Sequence, residues 1–278
     1  MKNELLKRIK YAARELKLKN FYRPDGSACP DFIEHRNAAP RLLIVLSGEK
    51  RELMGFQGKR ERIILHPGDF YFIDSRLWEE CNFSTVHDFL CILPRETMLR
   101  TVWYNIREPN PKRWPDNVAV HTAQVPENIL KAYDILRSDE VLRYPAVASA
   151  VVRLILELVL IEVENGIPPE ENGQKLYEDM KEFLNENFSW GISRLDMAAH
   201  FRKSPSYISA LFKQYAGRSF GRSLDELRIR QAKKLLRETS MPIKEIAEKC
   251  GYDNYVYFVR RFRELTGIPP GHYRATGI

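Results

Sequence analysis

Ser193-Arg194-Leu195-Asp196-Met197-Ala198-Ala199-His200-Phe201, followed by Ser204-Pro205-Ser206-Tyr207-Ile208-Ser209-Ala210-Leu211-Phe212-Lys213, is the first copy of a plan that the chain repeats. The second copy is Pro242-Ile243-Lys244-Glu245-Ile246-Ala247-Glu248-Lys249-Cys250-Gly251-Tyr252, followed by Asn254-Tyr255-Val256-Tyr257-Phe258-Val259-Arg260-Arg261-Phe262-Arg263. Each copy predicts a short helix, a tight turn and a second helix. Ser204 can cap the free N–H groups of a helix whose first position is Pro205, where a missing N–H costs nothing. Ser193 and Asp196 have the spacing of a capping box. Pro242 marks a helix start. Gly251 stands where a helix ends and the chain must turn, a place for a residue that tolerates positive φ.

The second helix of each copy has two faces. Ile208, Leu211, Phe212 and Tyr215 recur at helical spacing and predict a buried stripe, as do Phe258, Phe262 and Leu265. Ser206, Ser209 and Ala210 share another face, small and polar. Val256, Tyr257 and Arg260 share the corresponding face of the second copy, with Arg261 beside it. A compact helix-turn-helix that presents such a face fits the major groove of DNA. The charge agrees. Residues 1–173 hold 25 Lys/Arg and 25 Asp/Glu, while residues 174–278 hold 19 and 12. The whole net charge of +7 therefore lies in the C-terminal part, and residues 202–237 alone hold 10 basic side chains against 2 acidic ones. Phosphate attraction requires such an excess.

The words SPSYISALFKQYAG, LRIRQAKKLLRET, PIKEIAEKCGY and YFVRRFRELTGIPPGHYR, in this order and spacing, closely resemble the DNA-binding domain of the AraC family of bacterial transcription regulators. The resemblance implies that Ser206, Ser209 and Ala210 face the groove in the first recognition helix. In the second it implies Val256, Tyr257 and Arg260. Arg260 suits direct readout, because an arginine fork matches the two acceptors of guanine; Val256 and Tyr257 suit thymine methyls. Arg202, Lys203, Lys213 and Arg261 are assigned to phosphates, which position without specifying. The first helix offers only small side chains, so the second pair is expected to discriminate more between bases. The implied partners are double-stranded DNA and, for an activator, RNA polymerase.

The N-terminal half reads differently. Leu5, Leu6, Ile9, Ala12, Ala13 and Leu16 predict a helix over residues 3–18. Short β-like runs follow at 41–46, 51–56, 60–65, 70–73 and 85–93, separated by Ser47-Gly48, Gln57-Gly58 and His66-Pro67-Gly68-Asp69. Such strands predict an antiparallel sandwich or barrel. The stretch from Leu42 to Asp74, with its Ser-Gly and Pro-Gly-Asp turns, looks like the cupin barrel that precedes the DNA-binding domain in many AraC-type regulators, whose interior is an effector pocket, often for a sugar or another small metabolite. The fold expected is thus α+β: a cupin-like antiparallel β-barrel, connecting helices, and an all-α domain with two helix-turn-helix motifs.

A metal cupin would align ligands near His35, Asn37, Arg41 and Glu79. A cation cannot ligate a metal and one histidine makes a poor site, so no metal or other cofactor is expected. His66 and His87 are isolated and read as structural or surface imidazoles. Arg41 and His35 could instead meet a polar ligand, with Trp78, Phe83, Trp103 and Tyr104 as flat walls. The plainer reading puts Trp103 and Tyr104 in the core and Arg41 on the surface. No Ser/His/Asp, Cys/His or phosphate-loop constellation appears, so no catalytic residue is assigned and the chain is not read as an enzyme.

Two helices, 127–138 and 146–165, follow Val125-Pro126. In the second, Val147, Val151, Leu154, Leu158 and Ile161 form one stripe, widened by Val152, Ile155, Leu156, Val159 and Leu160 beyond the needs of a one-sided helix. The extra face fits either an intramolecular core or a homodimer. Asn165 to Gly173 is a Pro/Gly/polar linker. The expected domains are therefore 1–125, 126–173 and 174–278. A helix over 223–239 would bridge the two motifs and hold the recognition helices about one DNA turn, roughly 34 Å, apart. The four cysteines, Cys29, Cys81, Cys91 and Cys250, form no C-x-x-C pair, the N-terminus lacks a signal-peptide core, and Arg153 and Glu157 interrupt the most apolar run. A cytoplasmic protein that does not enter membranes is expected. Three readings stay open: an effector-controlled regulator, a cupin enzyme tethered to a DNA-binding domain, and a constitutive DNA-binding protein whose barrel only dimerises.

Overall fold

The computed structural model describes residues 2–24, 40–56, 59–74, 79–95, 98–110, 115, 118–166 and 172–276. These fall into two compact units that divide at Asn172. His35, Trp78, Cys29 and the Gln57-Gly58 turn lie outside the described residues.

The first unit begins with helix α1 (Lys2–Arg14). Its strands are β1 (Phe21–Tyr22), β2 (Arg41–Gly48), β3 (Lys50–Phe56), β4 (Lys59–Leu65), β5 (Phe70–Ile73), β6 (Glu79–Asn82), β7 (His87–Pro94), β8 (Met98–Ile106) and β9 (Val118–Gln124). Helices α2 (Glu127–Arg137), α3 (Asp139–Arg143) and α4 (Pro145–Asn165) close it. The expected closed barrel is not what the hydrogen bonds build. They make a six-stranded sheet, β1-β5-β2-β7-β8-β9, and a separate three-stranded sheet, β4-β3-β6. The chain changes sheet between β2 and β3. A bulge interrupts the register between Val45 and Ser47, and Gly48 then takes φ +74°, where an added Cβ would sit 2.2 Å from the Val86 carbonyl oxygen. The short β1 also runs parallel to β5, an exception to the antiparallel expectation.

Strand periodicity sorts the side chains of the larger sheet. Leu42, Ile44 and Leu46 of β2, Leu90 and Ile92 of β7, and Trp103 of β8 join Leu5, Ile9 and Ala12 of α1 and Ile155, Leu156 and Val159 of α4 in one buried core. Arg153 fastens the helices by donating from Nη2 to the Leu16 carbonyl oxygen at 2.9 Å. Of the two stripes on α4, the one through Val152, Ile155 and Val159 is buried. The other is divided: Val151 is buried and Leu158 packs on the core, whereas Val147, Leu154 and Ile161 are 41%, 50% and 54% exposed. No helix among the described residues is long and apolar enough to cross a membrane.

The second unit is helical throughout: α5 (Gly173–Asn187), α6 (Arg194–Phe201), α7 (Pro205–Ala216), α8 (Phe220–Glu238), α9 (Ile243–Lys249), α10 (Tyr255–Thr266) and α11 (Pro270–Thr276). The bridging helix α8 starts before Ser223, because Ser219 caps it by accepting from the Arg222 N–H at 3.3 Å. Its last turns, through Ile229, Ala232, Leu235 and Leu236, share a core with Ile246, Ala247, Phe258 and Phe262 of α9 and α10.

Candidate nucleic-acid interface and an interior polar cluster

Two helix pairs, α6–α7 and α9–α10, are built by the start and stop signals of the repeated plan. Ser193 and Asp196 form the capping box: the Ser193 N–H donates to Asp196 Oδ2 at 2.7 Å and the Asp196 N–H donates to Ser193 Oγ at 3.2 Å. Ser204 accepts from the Tyr207 N–H at 3.2 Å with Pro205 in the first turn of α7, and Asn254 accepts from the Tyr257 N–H at 2.9 Å. The turn after α9 uses Gly251 at φ +81°, and an added Cβ there would lie 2.8 Å from the carbonyl oxygens of both Phe188 and Ser189. The matching turn after α6 has no glycine; Arg202 takes φ 55° instead.

Burial fixes which face of each second helix is outward. Ile208, Leu211, Phe212, Phe258 and Phe262 are at most 3% exposed. Tyr215, expected in the stripe, is instead 36% exposed and stacks on Tyr177 at 5.6 Å. Ser206 and Ala210 are exposed on α7, with Ser209 half-buried beside them. Ser209 Oγ donates to the Pro205 carbonyl oxygen at 3.1 Å and accepts from Arg194 Nη1 at 2.9 Å. On α10, Val256 is 75% exposed, and Tyr255 and Tyr257 are both 41% exposed. The Arg260 guanidinium lies 5.2 Å from the Tyr257 ring and 3.7 Å from Glu264, so it is bracketed on both sides. Tyr255, Val256, Val259, Arg260 and Arg263 line a shallow cleft of about 570 Å³ along this helix.

The four cations assigned to phosphates are not alike. Arg202 and Lys213 are exposed and Lys203 is half-buried, its ammonium 5.8 Å from the Tyr207 ring. Arg261 is held inside the domain. It donates from Nε to Asp225 Oδ2 at 2.8 Å and from Nη2 at 2.7 Å, and it also pairs with Glu264. Asp225 accepts in turn from the Tyr252 hydroxyl at 3.0 Å, a group whose pKa burial and then Asp225 push upward. One turn along α8, the buried Arg228 donates to the carbonyl oxygens of Phe188 at 2.8 Å and Trp190 at 2.9 Å. This network joins α8 to the turn before α10 and to the chain after α5. Sequence reasoning missed it, because Asp225 and Tyr252 lie far apart along the chain.

In the first unit, Arg41 is not on the surface. Its side chain is 13% exposed and its Nη1 lies 3.5 Å from Glu79 Oε1. The Tyr71 hydroxyl donates to Glu79 Oε2 at 2.8 Å and lies 3.1 Å from Glu52 Oε1, and Glu52 pairs with Lys50. Both members of that pair have fully buried side chains. The Lys50 ammonium sits 4.2 Å from the Phe89 ring, which stacks on Tyr104 at 4.6 Å and on His87 at 5.6 Å. Trp103 alternates to the other face of β8, where its Nε1 donates to Asp88 at 3.2 Å and Arg8 covers its ring. Trp103 and Tyr104 therefore do not line one pocket, since neighbouring strand residues point to opposite faces. His87, expected to be structural or superficial, is 2% exposed. Its Nδ1 lies 2.9 Å from the Thr85 carbonyl oxygen, whereas its Nε2, Glu52 Oε2 and Glu79 Oε1 are buried without a hydrogen-bond partner. Burial pushes Glu52 up to about 7, opposed by Lys50 and aided by Glu79. Burial and the Lys50 charge push His87 down to about 4. Among the described residues, no three His, Cys, Asp or Glu side chains group closely enough to hold a metal ion.

Residues 197–276 match the protein-family model of a helix-turn-helix domain. The chain is 27% identical to YpdC of Escherichia coli, described as an uncharacterized HTH-type transcriptional regulator; the match covers 98% of this chain and 90% of that one. Over 79 residues it is 42% identical to the arabinose operon regulatory protein of Escherichia coli, which covers 28% of this chain and 27% of that protein. Among solved structures, the C-terminal domain of AraT, a response regulator from Geobacillus stearothermophilus, is 33% identical over 38% of this chain and 88% of that chain, with a TM-score of 0.37.

Proposed function

This chain belongs to the AraC family of DNA-binding transcription regulators through its C-terminal helix-turn-helix domain, and from there we propose that a small molecule bound in its N-terminal unit controls how it reads DNA. The observation that carries the DNA-binding part of the reading is the outward face of α10. A 75%-exposed valine beside a bracketed arginine suits a thymine methyl next to a guanine. Val256, Tyr257 and Arg260 are the base-contacting residues of the second motif, and Ser206, Ser209 and Ala210 face the groove in the first. Arg202, Lys203 and Lys213 meet phosphates. Arg261 does so only with an N–H to spare from Asp225, and its main part is to hold α10 against α8.

The effector reading has support in the cluster of Arg41, Lys50, Glu52, Tyr71, Glu79 and His87 beside the stacked Phe89 and Tyr104. Buried acceptors without hydrogen bonds, here His87 Nε2 and Glu52 Oε2, are costly, and a hydroxyl-rich ligand such as a sugar or a related metabolite supplies donors to them. His35 and Trp78 stay part of the proposed lining, in a cupin-like two-sheet unit spanning 1–125. The connector, 126–173, dimerises through the exposed Val147, Leu154 and Ile161 stripe, and the DNA-binding domain is 174–278. The regulator acts in the cytoplasm, and contacts RNA polymerase if it activates. A ligand shifts the balance by binding one dimer arrangement more tightly than another.

Two measurements test this. Duplexes selected from a random pool by the full chain should share one motif. Thermal unfolding against sugars, sugar acids and other metabolites should show one class that stabilises the chain, by about 2.7 kcal/mol at a hundredfold excess over its dissociation constant. Sequence-specific binding with no response to any metabolite would favour an N-terminal unit that only dimerises.

A further inference from the structure

We propose that Arg194 carries the base contact of the first helix pair, reading a guanine in the major groove, and that Ser209 positions it. The inference rests on the reading of the C-terminal domain as a DNA-binding one. The residues assigned to the groove on α7, Ser206, Ser209 and Ala210, are too short to span the gap to a base edge as an arginine does, and the exposed Lys213 and Gln214 lie near the C-terminal end of that helix. The structure brings a long cation to that face from the neighbouring helix. Arg194, at the first position of α6, reaches across to donate from Nη1 to Ser209 Oγ at 2.9 Å. Ser209 is not a free rotor. Its own proton goes to the Pro205 carbonyl oxygen at 3.1 Å, which turns an oxygen lone pair towards the arginine.

Other observations favour a ligand for this guanidinium. Among the described residues Arg194 pairs with no carboxylate, whereas Arg260, Arg261, Arg218 and Arg222 each have a glutamate or aspartate partner. Its placement is electrostatically unfavourable, because the first turn of a helix is the positive end of the dipole. Nor is it needed for capping, since Ser193 and Asp196 already satisfy each other there. An exposed arginine that donates from one Nη to a single serine oxygen keeps the rest of its fork for the paired O6 and N7 acceptors of guanine.

The test uses the full chain and a duplex that the unaltered protein selects from a random pool. Binding is then measured to every single-base variant of that duplex, for the unaltered protein and for Arg194→Ala, Arg194→Lys, Ser209→Ala, Ser209→Thr, the Arg194→Ala/Ser209→Ala double variant and Arg260→Ala. Arg194→Ala should lose roughly 5- to 150-fold, with preference relaxed at one guanine distinct from the one that Arg260→Ala affects. Ser209→Ala should lose less at that same guanine, Ser209→Thr should restore it, and the double variant should match Arg194→Ala alone, as expected of a residue that acts through another. Arg194→Lys should fail to restore the guanine preference, because an ammonium lacks the fork. Unchanged binding by Arg194→Ala overturns the proposal. So does a loss uniform across all sequences, which marks a phosphate contact, and so does a Ser209→Ala loss that adds fully to that of Arg194→Ala. If Arg260→Ala shifts preference while Arg194→Ala does not, this proposal alone falls. If the unaltered protein selects no duplex, the DNA-binding reading falls with it.

Discussion

Replacing Asp225 by alanine removes the acceptor on which α8 and α10 meet. Arg261 loses bonds at 2.7 and 2.8 Å, and the Tyr252 hydroxyl loses one at 3.0 Å. A hydrogen bond to a charged group contributes about 1.5–3 kcal/mol, and a buried polar group left without a partner costs about 1–3 kcal/mol. Arg261 takes the lower end of its range, because its side chain is 21% exposed and it keeps Glu264. Tyr252 is 3% exposed, so water cannot easily replace its partner. The expected loss is about 3 kcal/mol. For a domain of roughly a hundred residues that lowers the melting temperature by roughly 10–20 °C. Far-ultraviolet circular dichroism of the full chain reads it, since the second unit is helical throughout. Asp225→Asn, which keeps an acceptor but not the charge, should fall between. A drop below about 3 °C for Asp225→Ala would show that the network contributes nothing and that apolar packing alone docks α10.

Arg260→Ala should cost about 1–3 kcal/mol of binding at one base position of the selected duplex, measured by competition against single-base variants; an unchanged preference contradicts the role given to Arg260. Gly251→Ala forces a Cβ to 2.8 Å from two carbonyl oxygens at φ +81°, so urea unfolding should show a loss of at least about 2 kcal/mol, and a loss under about 0.5 kcal/mol would mean that the turn relaxes freely. Glu52, pushed up to about 7, contributes stability that is present below its ordinary 4.5 and lost as pH rises through about 7. His87, pushed down to about 4, does the reverse: its share is present above 6.5 and lost as pH falls through about 4. The two slopes oppose between those ordinary values, so Glu52→Gln should leave a stability that rises with pH there, by up to about 1.4 kcal/mol per pH unit. Urea unfolding across that window checks it, and a variant with a flat profile refutes the histidine assignment.

What the sequence revealed was local. Ser193, Ser204, Pro205 and Gly251 act through their own turn of backbone, so their spacing was enough to lay out both helix pairs. The parts that escaped depend on distant partners or on patterns that burial erases. Nearly every residue of β8 is buried, Arg100 and Thr101 included, so the strand has no polar alternation to announce it. Lys50 and Glu52 are charged residues that composition alone places at a surface, yet both side chains are fully buried, with the Lys50 ammonium over Phe89 of the larger sheet. Of the expected sandwich or barrel, the described strands form two sheets that do not close, because nothing in the run of strands told that β3 would pair with β4 and β6. Arg194 reaches the outward face of α7 from α6, fifteen residues before Ser209, and the periodicity of one helix carries no sign of such a contact.

Arg202 has a further consequence. It turns the chain after α6 at φ 55°, in the left-handed region where a side chain costs about 1–2 kcal/mol of steric strain that glycine avoids. Glycine there would make the domain more heat-resistant and would remove a cation from the proposed phosphate surface. Folding and binding thus pull one position in opposite directions. Selection of variants for survival at high temperature should enrich glycine at 202, and selection for occupancy of DNA at high salt should keep the arginine.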